Sequence, residues 1–185
     1  YVGDRNEKRE RHGWGKAVLP NGDRYEGNYV EGKRHGFGVY RFLKNRAQYS
    51  GNYIYNYRQG FGTMIYPDGS KYEGNWTDGH RNGYGKYCYI NGDIYDGEWR
   101  KDKRNGMGVY YHAETATQHA GWWKKGKREG PAEVTFLNHR FIGSYKKNRP
   151  LGPGKFEFAN NSEATGAYVM KATDVSIVIK TSLEL

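Results

Sequence analysis

Tyr72-Glu73-Gly74-Asn75-Trp76, a turn, Gly83-Tyr84-Gly85-Lys86-Tyr87-Cys88-Tyr89, then Asn91-Gly92: the chain repeats this phrase along its length. The first glycine recurs at Gly3, Gly27, Gly51, Gly74, Gly97, Gly121, Gly143 and Gly166, a period of 22 to 24 residues. The Gly-x-Gly recurs at 13/15, 36/38, 60/62, 83/85, 106/108 and 152/154, with Gly130-Pro131-Ala132 as a worn copy. A period of this length is the mark of stacked repeats rather than of one mixed core.

Each half of the phrase alternates with period two, as a strand does. Tyr72, Gly74 and Trp76 share one face; Gly83, Gly85 and Tyr87 share one face of the next strand, with Tyr84, Lys86 and Cys88 opposite. Glycine weakens a strand unless something needs the space that its missing side chain leaves. Here it shares a face with Tyr and Trp, so the rings are expected to lie over bare backbone. Asn21-Gly22, Asp68-Gly69 and Asn91-Gly92 are hairpin dipeptides, and Asn45-Arg46 stands in the same place without its glycine.

The expected fold is all-β: an elongated, single-layer antiparallel meander of stacked hairpins, about seven to eight repeats and roughly fifteen strands. At about 4.8 Å between strands the sheet would run on the order of 70 Å. Repeats are expected to start near 1, 25, 49, 72, 95, 119, 141 and 164, giving an array over 1–170 and a C-terminal extension over 171–185. The structural repeat positions are Gly27, Gly51, Gly74 and Gly97 with Tyr25, Tyr72, Trp76 and Trp99. From 113 onward the pattern erodes: His119 replaces the leading Tyr, and Pro131, Pro150 and Pro153 intrude, as in a capping region. Val175-Ser176-Ile177-Val178-Ile179 is strongly β-prone and out of register. It either caps the last strand or, through Val175, Ile177 and Ile179, pairs with another chain.

The composition fits such a ribbon. Hydrophobic residues are 36% and aromatics 16% of the 185, with 18 Tyr, so apolar surface is spent on rings rather than on an aliphatic core. One cysteine, Cys88, allows no intrachain disulfide and fits a reducing compartment. No apolar run approaches about 18 residues, so no membrane span is expected. The excess of 30 Lys and Arg over 20 Asp and Glu gives a net charge of +10 and implies acidic partners.

The search for catalytic chemistry is negative. The Gly-x-Gly pairs precede strands and cannot offer a helix N-terminus to phosphate. The histidines at 12, 35, 80, 112, 119 and 139 lack metal-ligand spacing. Glu26, Glu73 and Asp96 stand alone in their repeats, where cross-strand pairing with lysines such as Lys86 is the expectation. No enzyme, cofactor or metal is expected. One column stands out two residues before the Gly-x-Gly: Arg11, Arg34, Arg58, Arg81, Arg104 and Arg128. Two readings stay open, an arginine capping carbonyls or stacking on rings in every unit, and a basic rail at the hairpin tips for an acidic partner. Nucleic acid is not expected, because the aromatics are committed to one another.

The repeats resemble the MORN family, whose unit reads Tyr-x-Gly-x-Trp-x-x-Gly-x-x-x-Gly-x-Gly. Tyr72-x-Gly74-x-Trp76-x-x-Gly79-x-x-x-Gly83-x-Gly85 matches it, and so does Tyr25-x-Gly27-x-Tyr29-x-x-Gly32-x-x-x-Gly36-x-Gly38. His112-Ala113-Glu114-Thr115, Leu137-Asn138-His139-Arg140 and Pro150-Leu151-Gly152-Pro153-Gly154-Lys155 are most similar to family members of the ciliary radial spoke head. That resemblance implies a non-enzymatic scaffold in the axoneme, a cytoskeletal location, and docking to other radial spoke head subunits and the central apparatus. A second copy of the chain is a further expected partner. MORN arrays in junctional tethers imply the alternative, a peripheral membrane protein binding acidic phospholipids through the basic edge.

Overall fold

A computed structural model describes residues 1–170 and 175–180. It has no helix among the described residues; every regular element is a strand. The chain divides into two compact units, Tyr1–Ile90 with Trp99–Asp102, and Asn91–Glu98 with Lys103–Leu185. Each is described in turn.

The first unit holds β1 (Val2–Arg5), β2 (Arg11–Val18), β3 (Arg24–Val30), β4 (Lys33–Arg41), β5 (Gln48–Ile54), β6 (Tyr57–Ile65), β7 (Lys71–Thr77) and β8 (His80–Cys88). Each pairs antiparallel with the next. Strand β9 (Ile94–Arg100) is shared between the units. The second unit continues with β10 (Lys103–His112), β11 (Thr117–Lys124), β12 (Lys127–Thr135), β13 (His139–Lys146), β14 (Arg149–Pro150), β15 (Gly152–Phe158), β16 (Glu163–Met170) and β17 (Val175–Lys180). These too form a meander, with β13 pairing both β14 and β15, and β16 pairing β17.

The register lines the glycines up. Gly15, Gly27, Gly38, Gly51, Gly62, Gly74 and Gly85 face one another strand by strand across the first unit. A methyl group at Gly38, Gly62 or Gly85 would come closer than 3.0 Å to the ring of Tyr25, Tyr49 or Tyr72 respectively. The glycines are therefore the floor on which the rings lie, which is the packing the alternation predicts. Each ring is fixed at its tip: Tyr25, Tyr49 and Tyr72 donate their hydroxyls to the carbonyls of Asn28, Asn52 and Asn75 at 3.0, 3.1 and 2.9 Å. Edge-to-face contacts then join the units of the repeat: Tyr25 to Tyr53 at 5.5 Å, Tyr49 to Trp76 at 5.3 Å, Tyr72 to Trp99 at 5.4 Å. Such pairs contribute about 0.5–1.5 kcal/mol each beyond area burial. The core of each unit is this one face of the sheet.

Two local features differ from a simple alternating hairpin. Register shifts between Gly27 and Tyr29, so that Tyr29 pairs with Arg34 while Gly27 pairs with Gly38. One residue on β3 faces three on β4, a bulge that needs Gly36 at φ 74°, and the same shift occurs at Gly51/Tyr53 and Gly74/Trp76. Because the bulge adds two residues, the faces are kept and the arginine two residues before the Gly-x-Gly returns to the aromatic side.

The turns also trade places. The two-residue turns with both central residues at positive φ are not at the Asn-Gly sites but at Glu31-Gly32, Tyr55-Asn56, Asp78-Gly79, Lys101-Asp102, Lys125-Gly126 and Lys147-Asn148. At Asn21-Gly22 and Asp68-Gly69 only the glycine is at positive φ. The amides of Gly22 and Gly69 close turns on the carbonyls of Leu19 and Tyr66, and the Asn21 and Asp68 side chains accept from the backbone two residues on.

Candidate docking surfaces and a pinned arginine column

The structure brings the arginines together with the rings of the repeat that follows each of them. The guanidinium of Arg58 lies 4.4 Å from the Trp76 ring centroid, that of Arg81 4.5 Å from Trp99, and that of Arg104 4.3 Å from Trp123. Arg34 lies over Tyr40 and Tyr53, Arg128 over Tyr145, and Arg11 over Tyr29. All but Arg11 also reach the second residue of the next two-residue turn with the guanidinium. Nη2 donates to the carbonyl of Asn56 from Arg34, Gly79 from Arg58, Asp102 from Arg81, Gly126 from Arg104 and Asn148 from Arg128. The amides of those five turn residues donate back to the carbonyls of the same arginines, and Gly32 does so to Arg11. At those five positions a reciprocal pair of hydrogen bonds ties one repeat to the next.

Where the turn residue has a side chain, the tie is doubled. Asn56 Oδ1 accepts from Arg34 N and Nε, and Asp102 Oδ1 accepts from Arg81 N at 2.9 Å and Nε at 3.2 Å. Burial works against the Asp102 charge, but His80, the Arg81 amide and the Arg81 guanidinium outweigh it and hold its carboxyl below the ordinary value. Charge-assisted bonds of this kind are worth about 1.5–3 kcal/mol each. The capping and stacking geometry is therefore present at five positions, with one Nη of each guanidinium committed inward.

A second tie connects turns to strands. Asp23 is buried and accepts from the Tyr40 hydroxyl at 2.6 Å and the Leu43 amide at 2.8 Å, which hold it below its ordinary pKa. In the second unit Asp93 accepts from Tyr110 and the Ala113 amide in the same way. At Ser70 the partner is the Tyr87 hydroxyl, at 2.8 Å.

The opposite face, where period-two alternation already places Tyr84, carries a second column that sequence reasoning did not single out as a site. The middle residue of each regular Gly-x-Gly is large and stands outward: in the first unit Trp14, Phe37, Phe61 and Tyr84, with 46, 50, 59 and 60% of their surface exposed. In the second unit Met107 and Trp122 are directly paired across the strands, and both are exposed. The signal was in the sequence, since every regular Gly-x-Gly carries an aromatic or Met at its centre. The asparagines facing this column have a job: Asn28 and Asn75 donate to the carbonyls of Phe37 and Tyr84 that the bulge leaves open.

Of the expected cross-strand ion pairs, Lys16 meets Glu26 at 2.9 Å, whereas Glu73 takes Lys71 on its own strand at 2.6 Å although Lys86 faces it in register. Both pairs are exposed and contribute at most about 1 kcal/mol. Val175, Ile177 and Ile179 lie in β17, whose backbone pairs with Tyr168 and its neighbours on β16; residues 171–174 and 181–185 lie outside the described residues. Among the described residues no three His, Cys, Asp or Glu gather as metal ligands, and no helix is long and apolar enough to cross a membrane.

The MORN repeat family matches residues 25–42, 49–71, 72–94, 95–114 and 141–163. The unmatched stretch between 114 and 141 holds His119 and Gly130-Pro131-Ala132, where the unit departs from its own pattern. Two relatives, each a radial spoke head 1 homolog, one from Mus musculus and one from Cyprinus carpio, are both 58% identical over 174 residues, 94% of this chain. The chain spans 58% of the length of the first and 79% of the second. The TCP10c domain of Drosophila melanogaster Sas-4 is similar at a TM-score of 0.42 and 11% identity, over 91% of this chain and 99% of that one. With its repeated glycine floor, its stacked rings and five matched units, the chain belongs to the MORN-repeat family.

Proposed function

We propose that this chain is a non-enzymatic scaffold of the ciliary radial spoke head, located at the axoneme, that docks other spoke-head proteins. The relatives' names support the assembly, at 58% identity over nearly the whole chain. The observation that carries the docking role is the outward column Trp14, Phe37, Phe61 and Tyr84. Such a row of exposed rings on one sheet face fits a protein interface. Around it Lys16, Arg24, Arg41, Lys71 and Lys86 outnumber Glu26 and Glu73, so the complementary partner is apolar with an acidic rim. Its anchors would fall roughly 10 Å apart, two strand spacings.

The arginines Arg11, Arg34, Arg58, Arg81, Arg104 and Arg128 serve this surface from behind by fixing the turns, and add to the basic field. The β17 strand with Val175, Ile177 and Ile179 is a second docking element. Other spoke-head subunits, a second copy of the chain and the central apparatus are the proposed partners.

The test is a pull-down from axonemal extract with wild type and with Phe37→Ser/Phe61→Ser/Tyr84→Ser, circular dichroism confirming the fold. Wild type is expected to retrieve spoke-head proteins and the variant to lose most of them. Equal retrieval would remove the outward column from the interface. Failure of wild type itself, with salt-sensitive binding to phosphatidylserine liposomes, would replace the reading with a membrane tether.

A further inference from the structure

In the second unit the aromatic column changes chemistry at one place. His119 stands where Tyr25, Tyr49, Tyr72 and Tyr95 stand in other repeats, and His112 where Phe42, Tyr66 and Tyr89 stand. Both imidazoles line one cavity of about 280 Å³ together with Arg104, Tyr110, Arg128 and Asn148. His119 is 1% exposed, and neither of its ring nitrogens has a partner. Its shorter ring is matched from below. Gly121 pairs with Ala132 rather than with a second glycine, so the Ala132 methyl occupies floor that a tyrosine would need.

The charges in this cavity are not neutralised. Neither Arg104 nor Arg128 is ion-paired among the described residues; each spends one Nη on a turn carbonyl. The acidic neighbour is Asp93, whose oxygens are taken by the Tyr110 hydroxyl and the Ala113 amide, with His112 Nδ1 at 3.8 Å. The first unit contains the completed version of the same corner. There Asp102, at the second turn position, gives its carboxylate to Arg81 N and Nε and to His80. Gly126 and Asn148 hold that position beside Arg104 and Arg128, and they bring no charge.

We propose that the cavity receives a carboxylate side chain from an acidic peptide segment of a partner protein, supplying at Arg104 and Arg128 the anion that Asp102 supplies at Arg81. Arg104 and Arg128 form the charged walls, His112 is a third donor, and His119 is the buried floor. The cavity is on the face opposite to Met107 and Trp122, so the inference stands apart from the docking column and from the spoke-head assignment. Burial, then the Arg128 guanidinium and His112, push the His119 imidazole down to about 4, so at neutral pH it is an uncharged floor whose resonances report an anion that enters.

The experiment follows the imidazole resonances of the full chain by NMR at 150 mM salt, titrating with acetyl-hexaglutamate amide and with acetyl-hexaglutamine amide as control. At pH 7, where the glutamates are charged, the expected result is saturable shifts of His112 and His119 with the acidic peptide alone and small shifts at His12 and His80. His119→Tyr/Ala132→Gly rebuilds the ring-over-glycine floor of the other repeats and fills the cavity, and is expected to weaken binding at least ~10-fold, read from His112. His112→Gln keeps the floor and is expected to weaken binding several-fold, read from His119. Equal movement of all four histidines, equal action of both peptides, or wild-type affinity in the folded double variant would each overturn the proposal.

Discussion

At the scale of single residues, the environment of His119 sets a pH dependence that can be measured. Folded, the imidazole is held to about 4; unfolded, it returns to about 6.5. Between those values the unfolded chain binds the extra proton, so stability rises with pH through the window. The contribution is fully present above about pH 6.5 and is lost as pH falls toward 4, by at most about 1.4 kcal/mol per pH unit. Urea melts at pH 7 and pH 4.5 should therefore lose less stability in His119→Tyr/Ala132→Gly than in wild type, by about 1–3 kcal/mol. Equal losses would mean that the imidazole titrates normally in the folded chain. The tyrosines of the column have the opposite problem: burial pushes Tyr25, Tyr49 and Tyr72 up, and they remain neutral hydroxyl donors to the backbone.

At the scale of the element, the hairpin turns carry both strain and coupling. Lys125, Lys101 and Lys147 sit at positive φ in two-residue turns, a conformation that lysine disfavours and asparagine tolerates. The residue after each is the one pinned by an arginine of the preceding repeat. Lys125→Asn turns Lys125-Gly126 into Asn-Gly and leaves the Arg104 bond to Gly126 in place. It is expected to stabilise by about 0.5–1 kcal/mol, visible as a higher denaturant midpoint at unchanged slope. A lower midpoint would mean that the Lys125 side chain, not its backbone, stabilises the turn. The arginine tie explains why the pinned position is Gly, Asn or Asp throughout: only those residues accept the left-handed backbone at low cost while presenting a carbonyl to the guanidinium.

At the scale of the whole molecule, strands in a meander draw their contacts chiefly from their neighbours, so damage should spread locally. Gly62→Ala drives a methyl group into the Tyr49 ring and is expected to destabilise by about 1–3 kcal/mol. Amide exchange should quicken most in β5–β7 and least in β12–β15; uniform quickening would mean that the chain unfolds as one cooperative block. The period, the alternation, the glycine–aromatic pairing and the erosion after residue 113 were all legible in the sequence, because strand faces follow from period two and a missing Cβ announces a ring above it. The column Arg34, Arg58, Arg81 was legible as a column, but its direction was not. The two-residue bulge at Gly36, Gly60 and Gly83 keeps each guanidinium on the ring face, and its contact with rings of the next repeat is one that no local propensity encodes. Asn21-Gly22 looked like the tight turn, yet the longer loop there is closed by Asp23 bonding Tyr40 and Leu43 from the following hairpin. Sequence alone determined which residues alternate and which glycines must be bare, since both are properties of neighbours along the chain. Only the tertiary structure decided where the arginines spend their hydrogen bonds, since their acceptors are turn carbonyls a full repeat away.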